Sequence, residues 1–376
     1  MPLRILICST LFNEKGNYME VVAATAFARM GCEVLVVTAK YVPSGEATAW
    51  RVAVVERCLR IRDTIFFPRG LDRMVRDFQP DAAFLLAPNH GLAHALHRHL
   101  PPGCRRVPVF GDLRESDTSR RGRWLSVRGN PLLKRMVKDR WYRRLLRESE
   151  LILAVTNETV RILRELDAAA WDARGHMCGL PADERRFFPL PAARAAEPRL
   201  KTIVTITRIL PHKPVREWIQ PVLRFLRKHE DWRYVFAGLP SGAAGERARA
   251  ELADAEAGDR FQLLPLQSLE EMNRHFNEAD LAVWYLAAIS IQQSMLTGIP
   301  VLLPADEALN HLVAPGGNGL YYESPDHLTQ QLEAAAAQTW DRTEIARANA
   351  ALSADCMFRD IARRLGLALP GEAANP

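Results

Sequence analysis

Short runs of aliphatic and β-branched residues recur along the chain, separated by longer stretches in which apolar positions return every three or four residues. Residues 4–9, 33–38, 82–87, 107–110 and 151–155 are apolar at most positions, as strands buried on both faces must be. With helical stretches between them they predict βαβ units and a parallel sheet covered on both sides. After the proline-rich stretch 187–198, a second series opens at 202–206 and continues at 233–236, 261–264, 281–284, 301–303 and 319–322. The expected fold class is α/β, with two Rossmann-like doubly wound parallel-sheet domains facing a cleft. Residues 1–190 would form the first domain and 191–350 the second, with a helix and tail over 351–376. That last stretch carries Met357, Phe358, Ile361 and Leu365 at helical spacing within a helix expected over 343–365. The pattern fits a cap on the second domain as well as a return to the first.

Composition narrows the class. At 376 residues, 48% hydrophobic and 25% charged, the chain has enough apolar material for two ordinary cores. No apolar run reaches the roughly 18 residues that span a bilayer, and the first residues read as a strand rather than a signal peptide. A cytoplasmic protein is expected. The six cysteines are scattered without a CxxC pair, the pattern of reduced thiols.

The net charge of +6 is uneven. Residues 114–147 hold twelve Arg or Lys against Glu115, Asp117 and Asp139, which points to a local anionic partner. Asn130-Pro131 opens a helix in which Leu133, Met136, Val137, Trp141 and Leu145 share a stripe flanked by Lys134, Arg135, Lys138 and Arg144. Together with Arg120, Arg121, Arg123 and Trp124, the segment 120–147 suits a helix lying on anionic lipid at the inner face of the plasma membrane. It suits equally a surface helix whose stripe enters the core. No nucleic-acid motif accompanies the charge.

The chemistry concentrates at predicted strand ends. Thr207-Arg208 closes a buried strand, and Lys213 follows a short loop before a helix. Two cations and free backbone N–H groups at one point make a diphosphate pocket, unless both are merely solvated loop charges. Ser290 stands where a further helix begins and is expected to cap it, so that the N–H groups of 290–293 face an anion. In the first half, Gly16 and Asn17 follow strand one and precede a helix, either as ligand contacts or as a plain turn. His90 and Asp112 lie after predicted strands, where either can take a proton from a hydroxyl. His90, His94 and His97 share one helical face; an exposed neutral face is expected there rather than a metal site.

An ordered set of blocks carries a family resemblance. Cys178-Gly-Leu-Pro-Ala-Asp183 through Phe188-Pro, Thr207-Arg208 to Lys213, Asn277-Glu-Ala-Asp280, Ser294-Met-Leu-Thr-Gly298-Ile-Pro300-Val301 and Asn318-Gly319-Leu resemble, in order, the signature segments of retaining nucleotide-sugar glycosyltransferases of GT-B fold. Met30-Gly31-Cys-Glu-Val34 and Pro80-Asp81 are similar to segments of that family's first domain. The resemblance implies transfer of a sugar from a UDP- or GDP-linked donor to a hydroxyl of a lipid-linked or polysaccharide acceptor, in cell-envelope or polysaccharide biosynthesis. Retention of configuration and no metal or other cofactor are also implied.

Arg208 and Lys213 would stabilise the leaving diphosphate. Gly16, Asn17, Ser290, Ile291, Gln292 and Gln293 would contact the donor, and His90 and Asp112 the acceptor, with Asp112 also catalytic. Gln293 falls on the second glutamate of the family's Glu, seven residues, Glu pattern, and the first glutamate has no clear counterpart. An amide there can bond a ribose hydroxyl, or it can simply cap the helix or face solvent. A catalytically inactive scaffold that docks on a membrane or a partner, and a sugar-nucleotide epimerase or hydrolase, remain the other expectations.

Overall fold

A computed structural model of the chain describes residues 2–55, 58–61, 65–86, 88, 91–111, 131–191, 199–209, 215–242, 245–246, 249–250 and 258–371. The chain divides into two compact units, Met1–Pro181 with Ala354–Pro376, and Ala182–Ser353.

Among the described residues, the main sheet of the first unit has seven parallel strands, β1 (Arg4–Ser9), β2 (Glu33–Thr38), β3 (Trp50–Val54), β4 (Ala82–Leu86), β5 (Arg105–Phe110), β6 (Ile152–Ala154) and β7 (Gly175–Met177), in the order β7-β6-β5-β4-β1-β2-β3. β1 pairs with β2 from Arg4 opposite Glu33 to Ser9 opposite Thr38. Alternate residues feed two cores. Ile5, Ile7, Val34, Val36 and Phe84 meet helices α1 (Met19–Arg29) and, at the far end of the sequence, Ala354–Arg364. Leu6, Cys8, Leu35, Val37 and Leu85 meet α2 (Leu71–Phe78) and α3 (Gly91–His97) on the opposite face. Burial on both faces is why these strands read as unbroken apolar runs.

The second unit has six parallel strands, β8 (Lys201–Ile206), β9 (Trp232–Leu239), β10 (Phe261–Pro265), β11 (Leu281–Val283), β12 (Val301–Pro304) and β13 (Gly319–Tyr322), in the order β10-β9-β8-β11-β12-β13. One face packs on the helices Val215–Lys228 and Pro325–Ala337, and the other on Leu269–Glu278 and Ile289–Leu296.

Three expectations need correction. The domain boundary falls at 181/182 rather than after residue 190, because Ala182 and Phe187 are fully buried in the second unit's core. The single helix expected over 343–365 is broken into Arg342–Ala348, a 3-10 turn and Ala354–Arg364. At the break, buried Asn349 turns its amide back to the Ile345 carbonyl at 2.8 Å and accepts from Asn318, and the chain leaves the second unit just beyond. Phe358 then packs against Phe27 and Phe84, so the last helix belongs to the first unit.

The third correction concerns histidines. His94 and His97 are buried, not an exposed face. His94 lies 4.4 Å, centroid to centroid, from Trp141 of α4 (Pro131–Glu148), and its Nε2 is 2.8 Å from the Pro88 carbonyl. Burial drives the two imidazoles down to about 3 and about 4, so both are neutral. The same packing decides the carboxyl half of the basic helix: Tyr142, Leu145 and Leu146 enter the core while Arg140, Arg143, Arg144 and Arg147 face outward. Its stripe, where described, is inside the protein and not free for lipid.

Candidate functional site

In each sheet the chain runs outward on one side of the first strand and then restarts on the other, which leaves a crevice at the carboxyl ends of two neighbouring strands. In the second unit those strands are β8 and β11. The exit of β8 is held by Thr207 N–H donating to the Ala237 carbonyl and Ile209 N–H donating to Gly238, both at 3.0 Å, with exposed Arg208 between them. Gly238 sits at φ +139° where β9 breaks register. A Cβ there would lie 1.8 Å from the Thr207 oxygen, so only glycine lets the two strand ends pass this closely.

Helix α5 (Asn157–Arg174) completes the first unit; in the second, α6 is Val215–Lys228, α7 is Leu269–Glu278 and α8 is Ile289–Leu296. The residue capping α8 is Ala288, without a side-chain bond, which corrects the capping role expected of Ser290. The Ser290 hydroxyl is instead a structural tie. It donates to the Ile206 carbonyl at 2.8 Å and accepts from Trp284 Nε1 at 3.1 Å, fixing the start of α8 to the ends of β8 and β11. Loss of that hydroxyl strands a buried indole N–H and a carbonyl, so Ser290→Ala should cost about 2–4 kcal/mol in urea unfolding. A loss under about 0.5 kcal/mol would remove the tie from the account.

The side chains of Ile291, Gln292 and Gln293 are buried, so what this turn can offer an anion is backbone N–H groups. Gln293 is 1% exposed, and neither its Oε1 nor its Nε2 has a hydrogen-bond partner. It neither caps the helix nor faces solvent. Eight positions earlier stands buried Tyr285, whose hydroxyl is 3.2 Å from that of Tyr234; Tyr234 in turn donates to Thr205, and Thr205 to the Val283 carbonyl. Burial raises the pKa of both phenols, keeping them neutral. Beyond β12, His311 has two unpartnered ring nitrogens, and burial lowers it to about 4.

Other polar residues of this unit, among them the signature residue Asp280, prove architectural. Asp280 accepts from Thr202 N–H at 2.8 Å and from both Arg199 nitrogens. Arg342 donates to the carbonyls of Phe276, Asn277, Ala279 and Thr297. Lys213, His90 and Asp112 lie outside the described residues, as do 120–130 of the basic segment. Among the described residues no three His, Cys, Asp or Glu side chains are grouped to hold a metal ion, and no helix is long and apolar enough to cross a membrane.

The equivalent crevice of the first unit lies between β1 and β4, and the loop 10–18 leaves β1 there. Phe12 N–H donates to Lys40 and Glu14 N–H to Val42, so the loop is strapped to the segment after β2. Glu14 also accepts from Ser44 N–H, the Ser44 hydroxyl and Trp50 Nε1 at 2.9–3.0 Å. Burial alone would raise its carboxyl, but these bonds and one from Tyr41 outweigh it and hold the group below its usual value. A Cβ on Gly16 would sit 2.4 Å from the ring of exposed Tyr18, an overlap that a turn of the Tyr18 side chain relieves. Three residues after Asn17 comes Glu20, in the first turn of α1, with its carboxyl pushed up to about 7 by burial despite bonds from its own N–H and the Ser9 side chain. Sequence reasoning passed over Glu20. An acidic residue in a helix's first turn is ordinary, and only the tertiary burial marks it.

A glycosyl transferase 4-like domain matches residues 21–179, and a glycosyl transferases group 1 domain matches residues 190–350. No curated protein matches the chain in sequence. In fold it is similar to sucrose-phosphate synthase from Thermosynechococcus elongatus, at 15% identity over 97% of both chains and a TM-score of 0.67. A glycosyltransferase from Rickettsia africae is 11% identical over 97% of this chain and 99% of its own, with a TM-score of 0.68. Anabaena HepE in complex with UDP and glucose is 13% identical over 97% and 99%, with a TM-score of 0.63.

Proposed function

Because the chain belongs to the glycosyltransferases of GT-B fold, joining a 4-like domain to a group 1 domain, we propose that it moves a hexose from a nucleotide diphosphate donor, UDP- or GDP-linked, to a hydroxyl of a lipid-linked or polysaccharide acceptor. The observation that carries the donor half is the placement of Arg208 at the carboxyl end of β8, beside the strand that Ser290 joins to the start of α8. Cleaving a sugar–phosphate bond builds negative charge on the diphosphate, and a guanidinium and helix N–H groups favour that charge where it develops. Arg208 and Lys213 are assigned this role, with the backbone of 290–293 as further donors. Supplied in this way, the stabilisation calls for no metal, and the family resemblance supports retention of configuration. Asp112 and His90 are assigned to the acceptor. The UDP held by HepE supports the choice of donor class.

Arg208→Ala is expected to weaken UDP or GDP binding roughly 10- to 100-fold by calorimetry, the worth of about 1.5–3 kcal/mol for a charge-assisted bond. Unchanged nucleotide affinity and transfer in Arg208→Ala and Lys213→Ala would overturn the assignment. A scaffold without catalysis is the second reading, favoured by buried Gln293 at the place of the second patterned glutamate and by the lack of a clear counterpart to the first. That reading requires that UDP, GDP, ADP and CMP all fail to bind. Donor breakdown without any acceptor would instead indicate a hydrolase or epimerase. Location at a membrane rests on the outward arginines of α4, and binding to phosphatidylglycerol vesicles that disappears with salt tests it.

A further inference from the structure

Three consecutive residues at the exit of β11 are held by side chains from other elements. The Val283 carbonyl accepts from the Thr205 hydroxyl at 2.7 Å, and the Trp284 carbonyl from the Tyr322 hydroxyl at 2.7 Å. The Tyr285 hydroxyl lies 3.2 Å from that of Tyr234, which gives its own proton to Thr205 at 2.9 Å, so Tyr285 is the donor of that pair. The hydroxyls therefore run in one direction, from Tyr285 through Tyr234 of β9 and Thr205 of β8 back to Val283. Beyond Tyr285 come exposed Leu286 and Ala287, then Ala288, which starts α8 without a side-chain cap. The turn is thus secured from its two ends, by the Tyr285 chain before it and by the bonds of Ser290 to Ile206 and Trp284 after it.

We propose that Tyr285 is a positioning residue for the nucleotide diphosphate. Through its bond to Tyr234 it fixes the turn 285–288, and with it the place of the first α8 N–H groups. The proposal rests on the reading of the chain as a nucleotide-sugar transferase, and it gives Tyr285 itself no contact with the ligand. Hydrogen bonds weaken steeply as their angle departs from linear, so a turn displaced by about 1 Å loses affinity although every contacting group is still present.

Packing alone does not call for the hydroxyls. Two phenylalanines would fill the same space in the cluster that includes Ile203, Ile219 and Leu302, with no polar group left to satisfy. What the hydroxyls add is a single arrangement, because a chain in which each oxygen donates onward has fixed partners and a fixed direction.

The test uses the full chain with Tyr285→Phe, Tyr234→Phe and the double variant. UDP or GDP, whichever the parent binds more tightly, is titrated by calorimetry, and the matching nucleoside by NMR. The ratio of the two affinities reports the diphosphate alone. Each single variant is expected to lower that ratio about fivefold, with nucleoside affinity kept within about twofold of the parent. The double variant should be no worse than the larger single effect, since either change cuts the same chain. Leu332→Val, in the same core on the helix Pro325–Ala337, is the control. It should lower the thermal unfolding midpoint while leaving the ratio unchanged, which separates a displaced turn from a weakened fold.

Tyrosine variants that keep the parent's ratio overturn the proposal. So does a Leu332→Val protein whose ratio falls as far as theirs, or a double variant whose loss is the sum of the two singles. A parent that binds the diphosphate no more tightly than the nucleoside would overturn the donor reading itself.

Discussion

Gly238→Ala is expected to be the most damaging single-methyl change in the second unit. The added Cβ would stand 1.8 Å from the Thr207 oxygen and 2.6 Å from its carbonyl carbon, at a backbone φ of +139°. Neither neighbour is a flexible side chain, so relief requires moving the exit of β8 or the bulge in β9, and both hydrogen bonds that frame Arg208 cross this junction. Strained backbone costs about 1–3 kcal/mol by itself. With the overlap added, the loss should exceed about 4 kcal/mol, a size reserved for a few named mechanisms. Urea unfolding measures it, and nucleotide binding should fall in parallel because Arg208 is displaced. Gly111→Ala, whose Cβ would meet nothing within 4 Å, is the control and should stay within about 1 kcal/mol. A Gly238→Ala protein equally close to the parent would refute the close approach.

The second large effect depends on pH. Glu20 rises from 4.5 to about 7 on folding because burial disfavours its charge, so between those values the folded protein holds a proton that the unfolded chain has released. Stability from this group is fully present below pH 4.5 and is lost as pH rises through about 7. At about 1.4 kcal/mol for each unit of pKa difference, the loss approaches about 3 kcal/mol by pH 8. Glu20→Gln has no such proton to lose. It should therefore gain about 3 kcal/mol on the parent between pH 4.5 and pH 8 in urea unfolding. Parallel stability curves for the two proteins would show that Glu20 titrates normally.

What was legible in the sequence was the layered architecture. Parallel strands buried on both faces cannot be written except as apolar runs, and each run from 4–9 to 319–322 became a strand. Trp50–Val54 and Gly175–Met177 escaped notice because both lie at sheet edges, where exposure or shortness erases the run. Arg208 was legible for the same reason as the strands, since a cation directly after a buried run must emerge at a strand end.

The primary structure thus determined the fold class, the two-unit plan and the strand end at which Arg208 emerges, all consequences of local periodicity. Tertiary structure decided the home of the last helix, the inward stripe of α4, the Ser290 tie, the need for glycine at 238 and the burial of Glu20. Each of these depends on groups far apart in sequence, such as Phe358 with Phe27, Trp141 with His94, and Ser290 with Ile206. A periodic pattern states that a face is apolar, or that a residue is charged. What lies against that face, and whether water reaches that charge, is set only when distant segments close around it.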